Sequence, residues 1–394
     1  MDICEVLVVG AGVLGLTIAN ELLQRGCENI IIIEKEEVIG KHASGRNSGV
    51  LHAGIYYTPD SLKAKYCVNG NKLMKEFCFQ NGVALNVCGK VLVADSKQKL
   101  ENLEVIKKRA DINGVSSRFI DKSELKRIEP FAFTYQKALY SPDTAVFNPV
   151  EVLKALETKV LEKNCNIKFN TKFIRPVGNS KVLTTTGQIK YRVLINTSGA
   201  YADKIAHEFE VGKQYRSLPF MGTYLEVAKE KSYLVNGNIY PVPDIRNPFL
   251  GVHLTKSIDG RVYIGPTALP VLGRENYNFF EGLDLESLSI FYMNMRMFLT
   301  NDSFRSNAVS EMKKFFSDFT YKEAKKLVPS INKYDIKSSD KKGIRPQLVN
   351  LYKNELVMDY KVIKESDTIH VLNAISPAFT SSMSFAKYIC DLIG

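Results

Sequence analysis

The chain has 394 residues, too many for one compact core and enough for two domains of ordinary size. Its 45% hydrophobic and 24% charged residues exclude a disordered chain. A net charge of +11 favours anionic partners, but the lysines are dispersed rather than gathered in a tract, which reads first as a solvated basic surface.

The chain opens on an apolar, β-branched run over residues 3–9 that predicts a buried strand. Helical spacing follows over 13–24, with Gly26 as a stop, and then a second strand over 30–33 ending at Glu34. This is a βαβ unit. A glycine-rich polar stretch over 40–57 is too long for an idle turn, and a helix is expected over 61–80. Beyond it come a strand at 90–94, an amphipathic helix at 98–112 and a helix from Asn148-Pro149 to about residue 163. A short buried strand at 193–196 runs into Thr197-Ser198-Gly199-Ala200. Residues 216–340 carry alternating strands (223–227, 251–255, 261–265), which predicts an antiparallel sheet, and then a helical part over 285–328. The chain closes with a strand at 369–374 and a helix within 376–393.

The seven cysteines are odd in number and contain no C-x-x-C pair, so a reducing compartment is expected, with neither a disulfide framework nor a metal site. No apolar run is long enough to span a bilayer, and the start lacks a basic leader segment. The expectation is a cytoplasmic protein, at most peripheral on the inner face of a membrane.

Gly10-Ala-Gly12-Val-Leu-Gly15 fits G-x-G-x-x-G between a strand and a helix. The first glycine permits the tight turn, the second lets a pyrophosphate approach the backbone, and the third allows helix to pack on strand. The helix N-terminus offers N–H groups to phosphate. Glu34, about 20 residues on, is placed to accept a ribose 2′-OH, and Lys35 beside it is counted with the cofactor contacts. This motif leaves NAD and FAD both open.

The segment Gly40-Lys-His-Ala-Ser-Gly-Arg-Asn-Ser-Gly-Val-Leu-His-Ala-Gly-Ile-Tyr-Tyr57 resembles the second cofactor loop of the D-amino-acid oxidase superfamily. More narrowly, it is similar to the L-2-hydroxyglutarate oxidase/dehydrogenase family. Ser61-Leu-Lys-Ala-Lys65, residues 239–244, residues 248–255, Gly265-Pro266, residues 343–348 and residues 373–382 resemble that family's segments in the same order, over essentially the whole chain.

The resemblance implies an α/β plus α+β architecture, with a Rossmann-like FAD-binding domain (1–86, 145–215, 340–394) interleaved with an antiparallel-sheet substrate domain (87–144, 216–339). It implies bound FAD, contacted by Ser44, Arg46, Asn47 and Gly49, by Phe173 at the adenine, by Ser198 and Gly199, and by Gly343, Ser381 and Ser382 at the isoalloxazine. Arg46 by itself would read equally as a surface charge.

Oxidising a 2-hydroxy acid requires a base near the flavin and a cation for the carboxylate. His52 is the first candidate for the base, with a cofactor-bonding histidine as its structural counterpart. Arg345 matches the arginine that grips the carboxylate in the superfamily, where a structural ion pair is the other reading. His253 and Tyr240 are candidates for the pocket wall, although a lone histidine on an apolar strand is more often a core residue. A second carboxylate needs a second anchor; Lys63, Lys65, Tyr56 and Tyr57 are candidates, the two lysines reading first as solvated side chains.

Ile375, Phe379 and Pro346 depart from the family pattern and leave the substrate open. Oxidation of an amino acid, a secondary amine or glycerol 3-phosphate is the alternative on the same fold. A flavin-binding protein acting on nucleic acid is the alternative of another class, and no RNP-type or zinc pattern supports it. Oxygen, a quinone or a carrier protein would each serve as electron acceptor.

Overall fold

The computed structural model describes residues 1–243, 251–278, 281–314 and 317–393. Residue 244 and residues 248–250, which end or open two of the family-like segments, lie outside them. Strands Val6–Val9 and Ile30–Ile33 run parallel, with Val6 opposite Ile30, and helix Val13–Gln24 connects them. All eight strand residues are buried, as continuous apolar strands in a parallel sheet must be. The run expected as one strand over 3–9 is split in two. Asp2–Ile3 pairs with Gly187–Lys190 in a separate four-stranded sheet.

The nucleotide-type sheet has six strands, in the order 166–168, 30–33, 6–9, 193–196, 368–373 and 361–365. The first five are parallel and the last is antiparallel. The start, middle and end of the chain therefore share one sheet. Helices Leu62–Gln80 and Ala378–Asp391 pack closely because residue 70 is glycine: a Cβ there would lie 2.4 Å from the Thr380 carbonyl oxygen.

The second large sheet is built on the long pair Tyr215–Val227 and Ile336–Asn350, paired from Tyr215↔Asn350 to Thr223↔Lys342 and, past a register shift, from Leu225↔Ser338 to Val227↔Ile336. Beyond Asn350 the chain turns and adds the short edge strand Glu355–Leu356 to the same sheet, with Val349 opposite Leu356. Its pairings are antiparallel except one, Asn238–Pro241 beside Lys90–Val93. That exception joins two pieces far apart in sequence. Residues alternate across the sheet as the pleat requires. Val91, Val93, Ile239, Leu254 and Ile264 pack under Leu125, Ala324 and Leu327, while Tyr224, Tyr240 and His253 face a cleft toward the six-stranded sheet. The helical part over 285–328 consists of Glu286–Thr300, Asp302–Lys314 and Ser317–Leu327. No helix among the described residues is long and apolar enough to cross a membrane.

A buried ionic knot ties the two sheets' surroundings together. Arg274 donates to Asp203 at 2.5 and 3.0 Å, to Glu286 at 2.7 Å, and to the Ala200 carbonyl. Burial opposes charge on Asp203, but the Arg274 guanidinium holds its carboxyl below the usual range. Arg274→Ala should destabilise the protein by about 3–5 kcal/mol, because the Asp203 carboxylate is left buried without its partner. A thermal midpoint unchanged from the parent would reject this.

Candidate active site

Two cavities of about 670 and 330 Å³ share the walls Gly12, Ala43, Ser44, Thr197, Gly199 and Ile344, so they form one elongated cleft. The smaller lies over the carboxyl ends of the parallel strands, where ligands of such sheets bind. Gly10 sits at φ +104°, in the left-handed region, and a Cβ there would meet the Thr197 carbonyl oxygen at 2.9 Å. A Cβ at Gly15 would lie 1.9 Å from the Gly10 oxygen, so this glycine serves helix–strand packing and lines neither cavity. Gly12 caps helix Val13–Gln24 through backbone alone, and the first turn carries no acidic residue. That end is open to an anion.

Glu34 lines the smaller cavity from the end of its strand. Its two carboxylate oxygens accept from the Ala11 and Glu36 amides at 2.9 and 3.0 Å, which holds it beside the glycine turn. Phe173, Ser198 and Gly199 line the same cavity. Lys35 also reaches it, but its ammonium is engaged by Glu36, Glu275 and His42. Burial lowers its proton affinity, and the two carboxylates more than reverse the effect. Glu36, His42 and Glu275 are spaced like metal ligands, but the Lys35 ammonium contacts all three.

Residues 40–49 form the partition between the cavities. Ser44 Oγ accepts from the Val13 amide at 3.0 Å, fixing this loop to the helix start. Asn47 braces the loop internally, donating to the Ser44 carbonyl and accepting from the Gly49 amide. Arg46 lines the larger cavity, donates through Nε to the Lys41 carbonyl at 2.7 Å and lies 4.4 Å over the Tyr277 ring. Gly49 lines neither cavity. It adopts φ +73° where a Cβ would strike the Phe147 oxygen at 2.5 Å. Gly343 lines the larger cavity, with its backbone against the Arg46 carbonyl oxygen.

Ser381 and Ser382 are a different matter. Both are fully buried in the helix packing and line neither cavity. Ser381 Oγ accepts from the Tyr360 hydroxyl at 3.1 Å, and the Ser382 carbonyl accepts from Thr17. Helix Ala378–Asp391 turns its 381–382 face toward its neighbours, so Ser376, Pro377, Ala378, Phe379 and Thr380 form the cavity wall instead.

His52, Tyr56, Tyr57, Lys63, Tyr240, His253 and Arg345 all border the larger cavity. Among the described residues His52 Nδ1 has no hydrogen-bond partner, while Nε2 is 3.5 Å from Ser376 Oγ. Burial first, then the nearby Lys90 and His253, pushes its pKa well below the ordinary imidazole value. His52 is therefore neutral at physiological pH. His253 stacks on Tyr240 with ring centroids 3.9 Å apart, and its Nδ1 faces the Gly251 carbonyl at 2.9 Å, which assigns the proton there. Burial drives its pKa down to about 3. Lys90, unmarked by any motif, lies 4.3 Å from the Tyr240 ring and 5.1 Å from that of Tyr56.

Arg345 rises from the long strand and donates to Gln347 Oε1 at 3.0 Å. Gln347 is itself buried and donates to the Val357 carbonyl. Burial lowers the guanidinium pKa to about 10, so it stays charged at neutral pH. The two lysines part company: Lys65 is exposed, whereas Lys63 is buried in the cavity wall rather than solvated.

The glycine cradle, the open helix end and the acidic residue beside it fit a dinucleotide, and the continuous cleft extends far enough to carry a second ring system to His52 and Arg345. Comparison with known proteins agrees. Residues 5–392 match the family described as FAD dependent oxidoreductase. The chain is 34% identical to a mitochondrial L-2-hydroxyglutarate dehydrogenase of Dictyostelium discoideum, covering 99% of this chain and 92% of that one. It is 33% identical to the Homo sapiens protein of that name (98% and 88% covered), and 32% identical to L-2-hydroxyglutarate dehydrogenase of Escherichia coli K12 (99% and 93%). In fold it resembles L-alpha-glycerophosphate oxidase from Mycoplasma pneumoniae, solved with FAD bound, at a TM-score of 0.80 and 24% identity, with 100% and 95% of the chains covered. Glycine oxidase from Bacillus cereus superposes at 0.71 and 16% identity, with 99% and 94% covered. The cleft and these relatives lead to one assignment: the chain belongs to the FAD dependent oxidoreductase family.

Proposed function

We propose that the protein oxidises L-2-hydroxyglutarate to 2-oxoglutarate, with FAD as the hydride acceptor. The observation that carries this reading is one cavity wall that offers both an unprotonated imidazole and a buried guanidinium, His52 and Arg345. Arg345, held from behind by Gln347, presents a planar fork that matches a carboxylate and fixes the acid end of the substrate. With that end fixed, the C2 hydroxyl is directed to His52, whose neutral nitrogen accepts the hydroxyl proton as the carbonyl forms. FAD, held by the glycine turn and the 40–49 loop, would supply the acceptor for the hydride that leaves C2. Tyr56, Tyr240 and His253 close the cavity with rings, excluding water and strengthening the electrostatic grip of Arg345. The names of the relatives, from bacteria to animals, support the choice of acid.

Anaerobic mixing of the FAD-loaded protein with L-2-hydroxyglutarate should bleach the flavin absorbance, with one 2-oxoglutarate formed per flavin reduced. The D-isomer and glycine should leave the spectrum unchanged. Bleaching by amines alone would overturn the reading.

A further inference from the structure

Lys63 is the least expected charge in the active cavity. It lies one residue inside helix Leu62–Gln80, only 8% exposed, and borders the cavity that Arg345 also borders. Among the described residues its ammonium has neither a hydrogen bond nor an ion pair. The nearest acid does not supply one. Asp359 is engaged with the start of the same helix, accepting from the Leu62 amide at 2.7 Å and the Lys63 amide at 3.1 Å. It also accepts from the Tyr360 amide.

Two cations therefore face one cavity from different elements, the helix and the long strand, and each raises the cost of charging the other. Burial, and then Arg345, brings the Lys63 pKa down to about 7. An ammonium largely withdrawn from water at a cavity wall, without an acceptor, is costly, and the cost is relieved when an anion enters. One carboxylate is enough for Arg345, whose fork it fills. A ligand with a second carboxylate offers Lys63 an acceptor of its own.

We propose that Lys63 holds the distal carboxylate of the substrate and makes the enzyme select dicarboxylic over monocarboxylic 2-hydroxy acids. This inference rests on the reading of the cavity as a 2-hydroxy-acid site. Lys63 is a specificity-determining residue, with no part in the proton or hydride step.

The test compares L-2-hydroxyglutarate with L-2-hydroxyvalerate, which has the same five-carbon chain but ends in a methyl group. Flavin reduction is followed anaerobically over a range of each acid, in the FAD-loaded parent, Lys63→Met, Lys63→Gln and Lys63→Arg. In the Met and Gln variants, the half-saturating concentration of L-2-hydroxyglutarate should rise about 10- to 100-fold, as expected on removing a charge-assisted contact in a desolvated site. That of L-2-hydroxyvalerate should move by no more than about twofold, so the preference collapses. Lys63→Arg should retain most of it. An equal rise for both acids would place Lys63 on the shared carboxylate and overturn the proposal, as would no change for either. Should one neutral variant lose its flavin, the other carries the comparison. The two failures are separable: a parent not bleached by L-2-hydroxyglutarate sinks the function, whereas a bleached parent with an unaltered preference in the variants sinks only the role of Lys63.

Discussion

His52→Ala should keep its FAD and lose about 10²–10⁴ of its flavin-reduction rate, the usual contribution of a positioned base. The imidazole meets the geometric need first, because it borders the cavity and leaves Nδ1 without a partner among the described residues. It meets the protonation need as well. Burial, Lys90 and His253 all disfavour the charged ring, so the acceptor form is present throughout the physiological range. A pH dependence follows. The base is active when neutral, and its folded-state pKa lies well below 6.5, so the limiting reduction rate should stay level as pH falls from 8 to 6. An ordinary histidine would lose most of its acceptor form over that interval. Stopped-flow reduction at saturating substrate reads both effects. A near-normal rate in the alanine variant, or a fall in the parent with a midpoint near 6.5, would remove His52 from this role.

The second large effect is expected at Arg345. Arg345→Leu should lower kcat/KM for L-2-hydroxyglutarate by roughly 30- to 5,000-fold, about 2–5 kcal/mol, the range for losing one partner of a desolvated charge pair. Arg345→Lys should recover only part of this, because an ammonium keeps the charge but lacks the fork that grips both carboxylate oxygens. The FAD spectrum should persist in both, since the glycine turn at Gly10–Gly15 is a separate structure. If leucine leaves kcat/KM unaltered, the carboxylate is held elsewhere and the assignment of the reacting end of the cavity fails.

Much of the fold is local and was legible before folding. The helix Val13–Gln24 and the strands Ile30–Ile33 and Val193–Asn196 fall where apolar spacing and punctuation put them. Ser61 and Asn148 cap their helices through side-chain oxygens, as those residue types do. The glycine turn and Glu34 were also readable, because tight turns and close backbone approach restrict which residues can stand there. Facing was harder. Ser381 and Ser382 share a polar run with Thr380, but a helix advances about 100° per residue, and only packing against Thr17 and Tyr360 decides which of the run looks outward.

By itself, then, the order of residues pointed to many of the short helices and strands and to a glycine turn between the first buried strand and the first helix. Such features depend on backbone sterics and on neighbours a few positions away. The tertiary structure alone decided the chemistry of the larger cavity. It set Lys90 beside Tyr240 through a parallel strand pair with no local connection, and brought Lys63 into one wall with Arg345. Proton affinity follows desolvation and the charges that folding gathers, so a lysine that reads as solvated becomes a buried cation, and a histidine in a glycine-rich loop becomes a neutral acceptor.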